Sequence, residues 1–399
     1  MKVVSFSPPD ITDLEIEEVV NVLKSGWITT GPKTKLFEKK LSEYINTSKV
    51  VSFSSCTWAL ELVLRIFGLK PGDEVITSAY TYTASAAVAH HIGAKIVLVD
   101  TLEDSFLIDP KKLEEAITAN TKAIIPVDIA GKMCDYEAIY KAVENKKHLF
   151  KIDENNNLQK VYKRPLILAD SAHAFGATQK GKNSGQVADF TAFSFHAVKN
   201  LTTAEGGAIT WKDQEGIDNE QLYKLLTTLS LHGQTKDAFS KNQPGLWEYD
   251  IIYPAYKCNM TDIQAAIGLI QLERYNELLE KRKRIVKMYD DAFISMGLNP
   301  IKHFGDDFIT SCHLYMLKIP KYNEEDRNEF IKRLAKKGVV ANVHYKPLPM
   351  FTAYKNLGFD IKNYPNAYKH YSQEVSLPLH TLLTDDDINY VINTVKEEI

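Results

Sequence analysis

The stretch FSFHAVKNLTTAEGGAIT, residues 193–210, carries a strand-like apolar run straight into one lysine, Lys199, then a polar turn and the pair Gly206-Gly207. A lysine at the end of a core strand costs free energy unless its amine is used. The neighbouring runs say what kind of strand this is. KVVSFSS (49–55), DEVITSA (73–79), KIVLVD (95–100), KAIIPVDI (122–129), PLILAD (165–170), FTAFSFH (190–196) and GAIT (207–210) are short and β-rich, and helical patterns lie between several of them. Several are continuous apolar runs without alternation of period two. That suits strands covered on both faces, so we expect an α/β fold with a mainly parallel sheet and helices on both sides.

After the first strand, WALELVLRIF sets Leu60, Val63, Leu64 and Phe67 on one helical face. The polar segment FKIDENNNLQKVYKRP (150–165) interrupts the rhythm and reads as a surface excursion between a helix and a strand, an insertion that costs little. Near 255 the character changes. Asn259-Met260-Thr261 precedes one long helical pattern, TDIQAAIGLIQLERYNELLEKRKRIVKMYDDAF. Thr261 and Gln264 have capping-box spacing, and Ile263, Ala266, Ile267 and Ile270 form the expected buried stripe. HLYMLKIP (313–320), a helix near 323–337, VVANVHYKP (339–347) and a last helix near 385–399 suggest a smaller α/β unit. We expect a large domain over 1–255, including the N-terminal segment, and a small C-terminal domain over 256–399 led by the long helix.

The 399 residues are 44% hydrophobic and 25% charged, ordinary values for a globular chain. A net charge of −3 gives no reason to expect nucleic acid or an anionic membrane as partner. No apolar run is long enough to cross a bilayer, and the start, MKVVSFSPPDITDLE, lacks the apolar core of a signal peptide. Cys56, Cys134, Cys258 and Cys312 are scattered, with no CxxC spacing, so neither a metal site nor a disulfide framework is indicated. A soluble cytoplasmic protein with reduced thiols is expected.

In a parallel α/β sheet, ligands sit outside the carboxyl ends of the strands. Asp170 closes LILAD there, and Lys199 follows FTAFSFH to the same rim. Ser55-Cys56-Thr57 joins a strand to its helix, and the free N–H groups of such a junction suit a phosphate. Tyr82, in SAYTYTAS, falls just past another strand end. A phosphate cradle, a carboxylate, a lysine and an aromatic face together match pyridoxal phosphate. Its aldehyde bonds to a lysine, its ring nitrogen needs a carboxylate to stay protonated, and its ring needs a flat neighbour. Singly, each group has a plainer role: Asp170 or the Ser-Thr junction as a helix cap, Tyr82 as core packing, His173 and His196 as structural histidines, Lys199 as a surface lysine. The combination and its order carry the signal.

GWITTGPKTKLFE (26–38), GDEVITSAYTYTAS (72–85), DSAHAFGA (170–177), FSFHAVKNLTTAEGGA (193–208), YKCNMTDIQAAIGLIQL (256–272), VHYKPL (343–348) and SLPLH (376–380) resemble, in order, the sugar aminotransferases of the DegT/DnrJ/EryC/StrS type. The resemblance spans nearly the whole chain. It implies the aspartate aminotransferase fold, with a mainly parallel seven-stranded sheet and a smaller C-terminal domain, and a homodimer with active sites at the subunit interface. By position it implies Lys199 as the covalent anchor of pyridoxal phosphate and Asp170 as the carboxylate on its ring nitrogen. Tyr82 would stack on the ring. Thr57, with the backbone around Cys56 and Trp58, would form the phosphate loop, and Ser194 would add a second phosphate contact. Asn259 would reach the phosphate of the other subunit, and His173 would flank the cofactor. Cys56 and Trp58 stand where the family more often has small residues, and the 150–165 segment is longer than usual for it.

One branch of the family carries histidine in place of the lysine and removes a hydroxyl; Lys199 argues against it. The wording FHAVKNLTTAEGG is closest to members that aminate a nucleotide-linked 4-keto sugar, the alternative being the 3-keto position. The resemblance thus implies transfer of an amino group from glutamate, leaving 2-oxoglutarate, to such a sugar in amino-sugar and cell-surface polysaccharide or lipopolysaccharide biosynthesis. Thr29, Thr30 and His344 are the expected contacts of the sugar nucleotide. Two other classes compete. A non-catalytic regulator on this fold is expected to have lost the lysine or the aspartate, and a nicotinamide-dependent Rossmann enzyme lacks support because FSSCTWAL has no GxGxxG turn.

Overall fold

The computed structural model describes residues 2–236 and 248–399. Seven strands form the central sheet: β1 (Val50–Phe53), β2 (Glu74–Ser78), β3 (Lys95–Val99), β4 (Thr121–Ile125), β5 (Leu166–Asp170), β6 (Phe190–Ser194) and β7 (Gly207–Trp211). Their order across the sheet is β1-β7-β6-β5-β4-β2-β3. Pairing is parallel from β6 through β5, β4 and β2 to β3, while β7 runs antiparallel between β1 and β6. Six strands therefore point the same way, as the continuous apolar runs predict, and the expected fold class is borne out. The physical reason is visible in burial: every residue of β1, β2, β4, β5 and β7 is buried, so neither face can afford polar alternation.

The main apolar cluster lies between this sheet and its helices, with Leu62, Val63, Ile124, Ile167, Leu168 and Phe190 at zero exposure. A second cluster surrounds a three-stranded antiparallel sheet of 299–300, 315–318 and 374–377. The N-terminal segment joins this second cluster: Val4 bridges Val339, and its N–H donates to Gly338 at 2.8 Å.

Three local expectations are corrected. The pattern beginning at Thr261 is two helices, Asp262–Glu273 and Tyr275–Ile294, hinged at Arg274. The hinge is fixed from outside, because the Arg274 guanidinium is drawn to Asp10 at 2.8 Å and to Glu15 at 2.6 Å. The capping box of Thr261 and Gln264 is present, but Ile263, Ile267 and Ile270 are only half-buried. The buried face is Ala265, Ala266, Gly268 and Leu269, small enough to let this helix approach Phe37 of the helix Pro32–Ile45. The 150–165 segment is not a mere excursion. Asn156 caps a short helix, Asn157–Tyr162, whose Gln159 is buried and donates to the Phe67 carbonyl at 2.7 Å. A polar residue thus serves as an anchor, which polarity alone cannot announce.

Among the described residues no helix is long and apolar enough to cross a membrane, and no cluster of His, Cys, Asp and Glu has the geometry of a metal site. The four cysteines are free and buried.

Candidate active site

Because β1, β2, β5 and β6 run in one direction, their carboxyl ends meet at one rim, and the start of the antiparallel β7 returns to it. Asp170 is the last residue of β5 and is buried. The Ser85 hydroxyl, in the first turn of the helix Ala84–His91, donates to one carboxylate oxygen at 2.7 Å. The Ala172 N–H donates to the other at 3.2 Å. Thr81 lies 2.9 Å behind Ser85, so a hydroxyl relay fixes the carboxylate. Burial pushes the Asp170 carboxyl up, against the pull of Ser85, of the Ala172 N–H and of the charge on Lys199.

Lys199 follows β6 through a turn in which its N–H donates to the His196 carbonyl at 2.9 Å. Burial lowers its amine to about 8, while the charge of Asp170 pulls the other way. Among the described residues the amine makes no hydrogen bond and no ion pair. The residue is half-buried, and the lowered basicity of its amine leaves part of it as free nucleophile near neutrality.

Ser55 caps the helix Cys56–Ile66, its hydroxyl accepting the Trp58 N–H at 3.2 Å. The N–H groups of Cys56 and Thr57 have no carbonyl to meet inside the helix. Ser194 pairs with Gly207 across β6 and β7, which sets its hydroxyl beside this turn. A Cβ added at Gly207 would stand 2.2 Å from the Cys56 nitrogen, so only glycine lets β7 close on the helix start. The bulk of Trp58 is accommodated by Tyr256, whose ring lies 5.2 Å away and carries Arg65 at 4.8 Å. Burial, then the charge of Asp170, pushes the Cys56 thiol up, so the turn presents backbone N–H groups rather than a thiolate. This donor set, closed by a glycine and facing an unpartnered amine and a buried carboxylate, fits pyridoxal phosphate.

His173 is buried on the other side of Asp170. The Ala130 N–H donates to its Nδ1 at 3.1 Å, and Nε2 lies 3.0 Å from the Tyr345 hydroxyl. Burial, then the charge of Lys199, holds the ring well below its ordinary pKa. The neutral ring must therefore carry its hydrogen on Nε2 and donate it to Tyr345. His313 packs against it at 4.3 Å and bonds Asn200 at 2.9 Å. Tyr82 is 61% exposed, which rules out core packing, and its ring lies 5.9 Å from Tyr345. His344 feels the charge of Lys199, and burial lowers it to about 3.

Thr29, Thr30 and Asn259 gather beside the end of β1. Asn259 bridges Phe53 of β1, and its amide donates to the Thr30 hydroxyl at 2.5 Å. The Thr30 hydroxyl in turn donates to the Met260 carbonyl at 2.5 Å, and the Asp262 N–H reaches the Thr29 carbonyl at 3.3 Å. Within one chain, then, Asp170, His173, Ser194, Lys199, His344, Tyr82 and the Cys56 turn share a site, and Asn259, with Thr29 and Thr30 beside it, borders that turn from the end of β1, where the Ser54 N–H donates to the Cys258 carbonyl at 2.7 Å. Sequence reasoning did not single out Ser85, Tyr345, His313 or Asn200. Ser85 and Tyr345 lie inside motifs already quoted, but a serine and a tyrosine have no spacing signal; only the chain crossing shows their targets.

A sequence model of the DegT/DnrJ/EryC1/StrS aminotransferase family matches residues 9–396. Spr1654 of Streptococcus pneumoniae, described as a putative sugar aminotransferase and solved in its PMP form, is 54% identical, with a TM-score of 0.96 over 99% of this chain and 98% of that one. Its PLP form has a TM-score of 0.95 at 53% identity, over 100% and 98%. The spore coat polysaccharide biosynthesis protein SpsC of Bacillus subtilis (strain 168) is 38% identical over 98% of this chain and 96% of its own. The UDP-4-amino-4-deoxy-L-arabinose–oxoglutarate aminotransferase of Shewanella sediminis (strain HAW-EB3) is 34% identical over 98% and 96%. This chain therefore belongs to the DegT/DnrJ/EryC1/StrS aminotransferase family and is a pyridoxal-phosphate-dependent aminotransferase.

Proposed function

We propose that this protein moves an amino group from glutamate to the 4-keto position of a nucleotide-linked sugar, with Lys199 as its catalytic lysine. The observation that carries the role of Lys199 is its half-buried amine, unpartnered among the described residues, under the charge of Asp170 and lowered to about 8. Bound pyridoxal phosphate supplies the electron sink that makes a carbon–hydrogen bond next to nitrogen acidic. With the cofactor bound, Lys199 would hold it, and its freed Nζ would carry the proton taken from the amino donor's carbon. The same amine returns a proton in the opposite direction when the keto sugar takes up nitrogen. Asp170 holds the ring nitrogen's proton by charge, and Ser85 keeps the carboxylate aimed. The Cys56 and Thr57 N–H groups and the Ser194 hydroxyl bind the phosphate, and Tyr82 covers the ring. His173, donating to Tyr345, fixes the wall beside the cofactor.

The glutamate and 4-position assignments are supported by the wording FHAVKNLTTAEGG and by the Shewanella relative, whose name specifies a 4-amino sugar and oxoglutarate. His344 faces the sugar from beside Lys199. Thr29, Thr30 and Asn259 serve the site of a second subunit, which makes the enzyme a homodimer. The supporting observation is an exposed apolar set, Ile11, Leu14, Ile16, Val20 and Leu23, just before Thr29 and Thr30 in the chain. We place the enzyme in the cytoplasm, in cell-surface polysaccharide biosynthesis.

The test has two parts. Borohydride reduction and peptide mapping should find pyridoxyl label on Lys199; label on another lysine and none here ends the assignment. Purified protein with glutamate should aminate 4-keto sugar nucleotides in preference to 3-keto ones, read as 2-oxoglutarate released. Preference for the 3-keto panel overturns the position.

A further inference from the structure

A buried carboxyl stands behind His344, and nothing in the reaction above uses it. Glu374 opens the strand Glu374–Leu377, and Ser376, two residues on, shares its side of that strand; both have zero exposure. One carboxyl oxygen of Glu374 accepts the His344 backbone N–H at 3.0 Å. The other is bonded to the Ser376 hydroxyl. That hydroxyl lies 2.9 Å from Nδ1 of His344. Phe6, stacked 5.4 Å away, fixes the plane of the ring, and the Tyr80 hydroxyl holds the His344 carbonyl at 2.9 Å. Nε2 takes no hydrogen bond from the described residues.

We propose that Glu374 is a positioning residue which, through the single proton of Ser376, decides whether Nε2 of His344 donates to or accepts from an oxygen of the bound sugar. The assignment of that oxygen rests on the reading that His344 faces the sugar. The proton count is strict. With Glu374 protonated, its O–H donates to Ser376, Ser376 donates to Nδ1, and Nε2 carries the hydrogen. With Glu374 ionised the chain reverses. The proton of Glu374 passes to Ser376, that of Ser376 passes to Nδ1, and one proton leaves to solvent from Nε2, which becomes an acceptor.

Burial raises the Glu374 carboxyl to about 8, against the Ser376 hydroxyl, the His344 N–H and the charge of Arg327. The groups around it do not mask that change. Arg327 donates to the Glu374 carbonyl at 3.0 Å. Burial pushes the Tyr80 and Tyr345 phenols up, so both stay protonated. Lys318, in register on the neighbouring strand, is bonded to His370 at 3.0 Å. Lys199 titrates in the same range, so activity alone would confuse the two. The tautomer of His344 does not.

The experiment is nitrogen NMR of the holoenzyme carrying isotope-labelled histidine, with His344→Gln identifying the signals. From about pH 6 to about pH 9 the wild-type ring should pass from the Nε2–H to the Nδ1–H form, with a midpoint of about 8. Glu374→Gln can present only its amide donor to Ser376, because its oxygen must accept the His344 N–H, and it should keep the Nε2–H form throughout. Ser376→Ala breaks the chain and should abolish the midpoint. A wild-type ring that holds one tautomer, or a Gln variant that switches as the wild type does, overturns the proposal. No sugar is needed for this readout, so it is independent of the substrate assignment. With the sugar present, Ser376→Ala should raise its KM on the order of tenfold; an unchanged KM removes the link to substrate.

Discussion

At the scale of single residues, burial is the force that shapes this site. It lowers the Lys199 amine, which a nucleophile needs, and it raises the Asp170 carboxyl, which the Ser85 hydroxyl, the Ala172 N–H and the charge of Lys199 oppose in favour of the carboxylate. Asp170→Asn should keep the fold but lose activity on the order of a hundredfold, because an amide cannot hold a ring-nitrogen proton by charge. Turnover near the wild-type rate would remove that role. Glu374 gives a stability prediction. Its folded pKa of about 8 lies above the ordinary 4.5. Its contribution is fully present below about 4.5 and is lost as pH rises through about 8. Glu374→Gln titrates nothing, so its melting temperature should gain on the wild type between about pH 4.5 and about pH 8 and level off above, by the equivalent of a few kcal/mol at most. A pH-independent difference would contradict this. Asp170 was legible in the sequence because it closes an apolar strand, and Lys199 because it follows one through a short turn. Ser85, Ser376 and Glu374 were not, since a hydroxyl or carboxyl acquires its role only from the group folded against it.

At the scale of elements, the joints between strand and helix do the positioning. Gly207→Ala would drive a methyl group to 2.2 Å from the Cys56 nitrogen, a backbone atom that cannot swing away. We expect β7 to shift from the phosphate turn, with weaker cofactor binding by titration and a stability loss of roughly 1–3 kcal/mol. Unaltered cofactor affinity would mean that the turn does not hold the phosphate. The helix Pro32–Ile45 is capped from a distance. The Asp262 carboxylate accepts the N–H of Gly31 at 2.8 Å, of Lys33 at 3.1 Å and of Thr34 at 2.9 Å. Asp262→Ala strands three donors at once, so it should destabilise more in denaturant melts than Thr261→Ala, whose cap is worth about 1 kcal/mol. Equal losses would show that those donors find water instead. The pattern from 262 onward was legible as helix, and its capping box was too. Its hinge at Arg274 was not, because Asp10 and Glu15 lie more than two hundred residues away in sequence.

At the scale of the whole molecule, the proposed reach of Asn259 into a neighbouring subunit sets the oligomer experiment. Lys199→Ala and Asn259→Ala subunits are each expected to be impaired alone. If Asn259 serves the neighbouring site, a mixed dimer has one site with both lesions and one with neither, so subunit exchange should restore activity. Mixed dimers that form without activity would place Asn259 within its own subunit.

The sequence by itself determined the central sheet, since strands buried on both faces must be apolar throughout, and it determined the rim groups that end those strands. It also determined the family, through motifs spread in order along the chain. Only the tertiary structure decided which polar residues stand behind those groups. Gln159 as an anchor, Ser85 behind Asp170 and Glu374 behind His344 have no periodicity to declare them. Their function is a distance across the fold, and distances between remote segments exist only after the apolar core has brought the segments together.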